Sequence, residues 1–440
     1  MKKHGRQIHA VNVLGTIDEL PQLAADLGVQ HAIIAMPSAT HVVRRRIAEL
    51  CRQAGVNLLT VPSYEDLISG KVTVSQIRSV ELDDLLGRDP VVLDTAGLQS
   101  WLKGRVVLVS GAGGSIGSEL CRQIVRFHPR LLVLFEQNEY ALYRMEQEFS
   151  EQFPWVTTAC CIGDVRNPER ASEIVKNYAP SIIFHAAAYK HVPLMENVNA
   201  WEALQNNALG TYRMAHVAAQ NGVEKFVLIS TDKAVNPANV MGASKRLAEM
   251  LCQAIQNQTS TRFIMVRFGN VLGSTGSVIP KFHEQIAKGG PVTVTHPEIN
   301  RYFMSIPEAA QLVLQAGLMG RGGEVFVMDM GEPVKIADLA RDMIRLSGFS
   351  EDEIKIVYSG LRPGEKLDEE LLADGEHTLA TPHPKLRIAQ ARQINGEWLD
   401  GVLQWLNGNP LFDDTVVKSD LQHWVPEYTP EPKHPGLVNP

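Results

Sequence analysis

Disulfides are the first thing this sequence cannot build. Its five cysteines (Cys51, Cys121, Cys160, Cys161 and Cys252) form no Cys-x-x-Cys pair and no even framework. That excludes a disulfide-stapled secreted domain and a cysteine-based zinc site; reduced, buried thiols and no metal are expected. Long apolar runs are missing as well, none approaching the roughly 18 residues that cross a bilayer. The N-terminal "MKKHGRQIHAV" is positively charged but has no apolar stretch behind it, so it is not a signal peptide. Basic charge is not in excess: 42 Lys+Arg stand against 49 Asp+Glu, a net charge of −7. This argues against a nucleic-acid partner, and the triplet Arg44 to Arg46 reads as a solvated helix face. No internal repeat or low-complexity block interrupts the chain. What is present is an ordinary globular composition: 440 residues, 45% of them hydrophobic, enough for one large core with an appendage or for two to three domains.

Periodicity divides the chain. Residues 1–80 read as a partial α/β domain: "HAIIAMPS" and "VNLLTVPS" as buried strands, with "THVVRRRIAELCRQAG" as a helix closed by glycine. No glycine-rich phosphate loop precedes it, so a scaffold or oligomerisation role is expected. Residues 81–103 read as an acidic linker. From 104 to 400 strands alternate with helices, which predicts an α/β, Rossmann-type doubly wound parallel sheet. Its nucleotide-binding core is placed at about 104–270. The looser pattern over 271–400 predicts a smaller substrate-binding region over the strand ends. Residues 401–440 read as a tail wrapping the surface.

"VVLVSGAGGSIGSEL" is the most specific local signal. Gly111, Gly114 and Gly117 stand between a β-branched strand and a helix, with Ser115 and Ile116 in the turn. Glycines let the backbone approach a pyrophosphate, and the helix N-terminus offers free N–H groups. Glu136 ends the next strand, where a carboxylate accepts from both ribose hydroxyls and repels a 2′-phosphate; NAD is favoured over NADP. Asp164 and Val165, at a third strand end, suit an adenine edge. Ala186, Ala187 and Ala188 supply small residues where backbone passes close to the cofactor. Each of these has a bland alternative, a helix cap or ordinary packing.

The most informative absence is a tyrosine. Thr231, Asp232 and Lys233 follow a buried strand, and Lys245 lies on the next helix. Four residues before such a lysine, a tyrosine would serve as the acid–base group for hydride transfer; here stands Met241, which has no proton to give. A lost general acid–base is worth roughly 10²–10⁴ in rate. Either the chain only binds, or Asp232 and Lys233 take over as one acid and one base.

Taken together, "SGAGGSIGSEL", "HAAAYKHVPLMENVNAWEALQNNALGT", "STDKAVNPANVMGASKRLAE", "RFGNVLGSTGSVIPKFHEQIAKGGPVTVTHPEINRYFMSIPEA" and "GLRPGEKLDEEL" resemble the polysaccharide-biosynthesis-type UDP-N-acetylglucosamine 4,6-dehydratases of the extended short-chain dehydrogenase/reductase superfamily. The resemblance covers roughly residues 85–390. Long members of that family share the methionine and are active. It implies a hydro-lyase in which NAD oxidises C4, water leaves across C5 and C6, and hydride returns to C6. By position, Asp232 would be the acid at the C6 oxygen and Lys233 the base at C5. Thr231 would hold the C4 oxygen and Lys245 the nicotinamide ribose. Lys190, Asn207, Asn270, Lys281, Arg301, Arg362 and Glu365 are the candidates for the sugar nucleotide. Asp368 departs from the family, whose members often carry an aromatic residue there. The resemblance further implies a homo-oligomer, retention at C5, and a cytoplasmic location. Residues 1–80 resemble the soluble remnant of the membrane-anchored members' N-terminal half, which leaves two expectations: a longer form anchored at the inner membrane by an upstream segment, or a naturally soluble variant. Two other readings stay open: a UDP-sugar 4-epimerase, which leaves the Asp232–Lys233 couple unused, and a non-catalytic NAD-binding protein.

Overall fold

The computed structural model describes residues 7–8, 11–36, 41–61, 78–79, 91–372, 378–389, 396–408 and 413–430. The described residues group into two compact units, whose bounds are as follows. One comprises 1–90, 282–292 and 338–357; the other comprises 91–281, 293–337 and 358–440.

In the first unit, strands His31–Ile34 and Asn57–Thr60 pair in parallel, and helix His41–Gln53 connects them. Gly55, at φ 67°, ends the turn after that helix as its position predicts. A small core gathers Ala24, Ile34, Ile47, Cys51 and Val56. Both strands were expected to be buried; in the structure each is largely half-exposed or exposed, with one buried residue at its end.

The second unit is built on a nine-stranded sheet. Seven parallel strands are β1 (Val106–Ser110), β2 (Leu131–Glu136), β3 (Thr158–Ile162), β4 (Ile182–His185), β5 (Lys225–Ile229), β6 (Arg262–Arg267) and β7 (Val325–Met328). Antiparallel strands β8 (Thr378–Ala380) and β9 (Leu386–Ala389) complete the order β8-β9-β7-β6-β5-β4-β1-β2-β3. The reversal between β1 and β4 is the switch point where open α/β sheets bind ligands. Every residue of β1 and β4 is buried, as parallel strands covered on both faces require.

The two faces alternate along each strand. Val107, Val109, Phe184, Val227 and Ile264 pack under α1 (Thr95–Leu102), α2 (Ser115–Ile124), α3 (Glu139–Gln152) and α7 (Ile306–Met319). Leu108, Ile183, Phe226, Leu228 and Met265 pack under α4 (Pro168–Tyr178), α5 (Gly210–Gln220) and α6 (Val240–Gln256). α6 is buried along nearly its whole length. Its far side meets α8 (Gly396–Leu406) and α9 (Asp414–Trp424) through Val402, Leu406, Val417, Leu421 and Tyr428.

Three expectations change here. The part of the expected linker that is described holds α1, whose Leu98 and Leu102 are fully buried in the core. The part of the expected tail that is described holds most of α8 and all of α9, packed on α6 rather than loosely wrapped. β7 and α7, read as pieces of a smaller region, belong to the main sheet and its helical layer. Short elements misled the periodicity: β7 has only four residues, all buried, so no alternation marks it.

Candidate active site

Strand β1 delivers the glycine turn to the switch point. Gly111 has φ 67°, and a Cβ there would lie 2.7 Å from the Ala187 nitrogen. Only glycine combines that backbone with that approach. At Gly117 a Cβ would lie 2.0 Å from the Gly111 oxygen. The glycine turn thus lies directly against the Ala186–Ala187 backbone after β4. Gly114 caps the N-terminus of α2, Ile116 packs onto the core, and Ser115 Oγ accepts from the Thr275 N–H at 3.3 Å.

Glu136 stands at the end of β2 as expected. One oxygen accepts from the Gly113 N–H and the other from the Asn138 N–H, each at 3.0 Å. Gly113 was not singled out in the sequence: a Cβ there would strike Ala141 at 2.6 Å. Carboxylate, glycine turn and helix N-terminus together form a cradle with the donors and clearance that a dinucleotide's pyrophosphate and ribose need. Asp164 is less available, since both its oxygens accept from Arg166. Burial opposes its charge, but those hydrogen bonds hold its carboxyl below the usual carboxylate range. Val165 beside it is buried.

The groups in question at the tyrosine's place converge. After β5, a single 3₁₀ turn, Asp232–Ala234, carries the pair. Asp232 Oδ1 accepts from Thr231 Oγ1 at 2.9 Å and from Lys233 Nζ at 3.0 Å. Asp232 Oδ2 is buried with no protein partner. A buried carboxylate oxygen without a donor is costly. Lys233 Nζ also donates to Asn270 Oδ1 at 3.3 Å and lies 3.6 Å from Glu369 Oε1. Burial works against its charge, yet Asp232 and Glu369 outweigh it and hold the ammonium above the ordinary lysine range.

Helix α6 presents Met241 and Lys245 one turn apart, both buried. Asn239 caps the helix through the Gly242 N–H at 2.8 Å. A Cβ on Gly242 would lie 2.1 Å from the Lys233 oxygen, so this glycine lets the helix press against the Asp232–Lys233 turn. Burial pushes Lys245 down to about 8. His185 is pushed to about 3 by burial and by Lys245; it stays neutral between Ser110 Oγ and Thr211 Oγ1. Four residues beyond Lys245, buried Glu249 anchors the helix to the sheet. It accepts from Arg267 Nε at 2.8 Å and Nη2 at 2.7 Å, and from Ser230 Oγ at 2.6 Å.

The expected sugar-nucleotide residues divide. Asn207 is fully buried, and its amide is used up by the Tyr189 backbone, Asn206 and Ser244. It shapes the loop leading to Lys190 and has no group left for a ligand. Arg301 is spent on the Asn300, Lys366 and Leu367 carbonyls and on Glu365 and Glu369. Glu365 in turn accepts from Thr295, Arg301 and the Arg362 N–H. Asn270 faces Lys233. Lys190, Lys281 and Arg362 are exposed cations; Lys190 reaches Ser274 Oγ at 3.4 Å. Arg362 meets the cluster through its backbone alone, and no described contact ties Lys281 to it. Asp368 accepts from Asn300 Nδ2 at the exposed rim. Glu369, which lies within "GLRPGEKLDEEL" but was not among the expected site residues, is the addition. Among the described residues no group of His, Cys, Asp and Glu could hold a metal, and no helix is long and apolar enough to cross a membrane.

A glycine turn after β1, a carboxylate ending β2 and a lysine one turn into the helix after β5 define the Rossmann-type class of short-chain dehydrogenases/reductases. The solved structure of Pen from Bacillus thuringiensis has this fold: 32% identity, TM-score 0.60, covering 69% of this chain and 99% of that one. The chain belongs to the polysaccharide biosynthesis protein family, which matches residues 107–391. Similar curated proteins include the capsular polysaccharide biosynthesis protein CapD of Staphylococcus aureus, 51% identical over 83% of this chain. The chain spans 61% of that protein's length. At greater distance stand an inverting UDP-N-acetylglucosamine 4,6-dehydratase of Campylobacter jejuni (32% identity over 63% of this chain and 80% of that protein) and a UDP-glucose 4-epimerase of Rickettsia canadensis (34% over 61% and 78%).

Proposed function

We propose that this chain binds NAD and dehydrates UDP-N-acetylglucosamine to the 4-keto-6-deoxy sugar nucleotide, a first step toward 6-deoxy amino sugars of a surface polysaccharide. The observation that carries this reading is the Thr231–Asp232–Lys233 turn, with its unpartnered, buried Asp232 oxygen beside a half-buried amine. An epimerase needs one group to move one proton at O4. Dehydration needs an acid for the leaving C6 hydroxyl and a base for C5; the carboxylate of Asp232 and the amine of Lys233, 3.0 Å apart, support this reading.

Gly111, Gly114 and Gly117 would hold the pyrophosphate, Glu136 the adenosine ribose and Lys245 the nicotinamide ribose. When bound, NAD supplies hydride removal at C4 and hydride return at C6. The protein's own groups do the proton work. Thr231 orients the C4 oxygen and Asp232 takes its proton. The ketone acidifies C5–H, which Lys233 removes, while Asp232 passes its proton to the departing C6 oxygen. Lys233 then returns a proton to C5, and delivery from the face it was taken from gives retention.

The test is incubation with UDP-N-acetylglucosamine and no added cofactor, read by mass and NMR. Loss of one water with a C6 methyl is expected. Unchanged mass with inverted C4 would assign the epimerase named among the relatives instead, and recovered substrate from dinucleotide-loaded protein would end both readings.

A further inference from the structure

Lys233 as base for C5 meets an obstacle in the free site. Its ammonium sits between two carboxylates, Asp232 Oδ1 at 3.0 Å and Glu369 Oε1 at 3.6 Å, with Asn270 Oδ1 at 3.3 Å. A protonated amine cannot take a proton. Asp232 cannot relieve it, because on the proposed route that carboxylate already carries the proton from O4 to the leaving C6 oxygen. The other carboxylate, Glu369, has no such duty. Its side chain is 5% exposed, and its neighbours are Lys233 on one side and the Arg301 Nε at 3.8 Å on the other. Arg301 is itself fixed by three backbone carbonyls, so Glu369 is held at a set distance.

Resting on the proposed dehydration, we infer that Glu369 is a positioning residue acting through Lys233: once the O4 proton has neutralised Asp232 and removed its hold on the ammonium, Glu369 accepts the Lys233 proton before C5 is attacked and gives it back when the cycle closes. The transfers balance. One proton moves from Nζ to the Glu369 carboxylate, leaving a neutral amine. That amine takes the C5 proton and later returns it to C5. The proton from O4 leaves with the C6 oxygen as water. Glu369 then reprotonates Lys233, and every side chain is as it began. The shared proton also explains why two carboxylates are placed around one half-buried amine when one would neutralise it.

The experiment is the pH dependence of kcat for wild type and Glu369→Gln. With the relay, wild-type kcat is flat near neutrality, because the proton is passed internally. Glu369→Gln loses about 100-fold near pH 7, the scale of one acid–base contribution. It recovers about tenfold per pH unit as hydroxide strips Lys233 instead, while KM changes little. A loss of the same factor at every pH, or no loss, overturns the relay and leaves Glu369 a support for Arg301. If melting curves show that Glu369→Gln does not fold, Glu369→Asp takes its place: its shorter carboxylate predicts a partial loss with the same rising limb, and a pH-independent loss overturns the relay. Wild type that makes no dehydrated sugar overturns the proposed function itself, and the relay with it.

Discussion

At the scale of single residues, the account turns on Asp232 and Lys233. Asp232→Asn keeps the shape and removes the acid; Lys233→Ala removes the base. Each is expected to lower kcat by roughly 10²–10⁴ with the bound dinucleotide retained, measured by turnover and by absorbance of extracted cofactor. Lys245 adds a pH dependence. Burial has moved it to about 8, so its ammonium, the form that donates to a ribose, is lost as pH rises through that value. Retention of the dinucleotide in a desalting assay falls above about pH 8 in wild type, and Lys245→Arg, which stays charged, abolishes the fall. The stability sign is separate. The unfolded chain holds this proton to its ordinary 10.5 and the folded chain releases it near 8. The burial penalty is therefore present below 8 and relieved between the two values. Much at this scale was legible. The glycine turn and Glu136 are local, and each residue announces its own constraint. Glu369 was not, because its meaning comes from Lys233 far earlier in the chain. Asn207 and Arg301 have side chains that suit a ligand, but the fold uses them up on backbone groups that no spacing reveals.

At the scale of elements, the decisive contact is the N-terminal turn of α6 against the Asp232–Lys233 turn. Helix propensity favours alanine over glycine by about 1 kcal/mol, so Gly242→Ala would stabilise an isolated helix. In the folded chain its Cβ would sit 2.1 Å from the Lys233 oxygen, far inside van der Waals contact, and the clash wins. Gly242→Ala is expected to lower the melting temperature and to reduce kcat by displacing Lys233; a more stable, fully active variant would refute the contact. α6 is held from behind by Glu249, whose carboxylate is kept ionised, against the cost of burial, by Arg267 and Arg246. The helix itself was readable from its Asn239 cap and long apolar pattern. Its burial on every side was not, because the elements that cover it lie in 396–430.

At the scale of the whole molecule, those C-terminal helices make the catalytic unit larger than its motifs. Leu421 and Val402 are fully buried against α6. Leu421→Ala is expected to cost about 2–5 kcal/mol, read by denaturant unfolding, although the residue lies outside every recognised motif. A loss below about 0.5 kcal/mol would place α9 loosely on the surface. The sheet order was implicit in the strand–helix alternation through β6. Beyond β6 the strands are only three or four residues long, too short to show a period, and the sequence placed them outside the sheet. The central claim is that an acid–amine couple, with no tyrosine, dehydrates a sugar that a bound dinucleotide has oxidised. UDP-N-acetylglucosamine carrying deuterium at C4 tests it most directly. The account predicts a product lighter by one water with the deuterium found on C6; deuterium remaining at C4 in a sugar that has kept its C6 hydroxyl would contradict it.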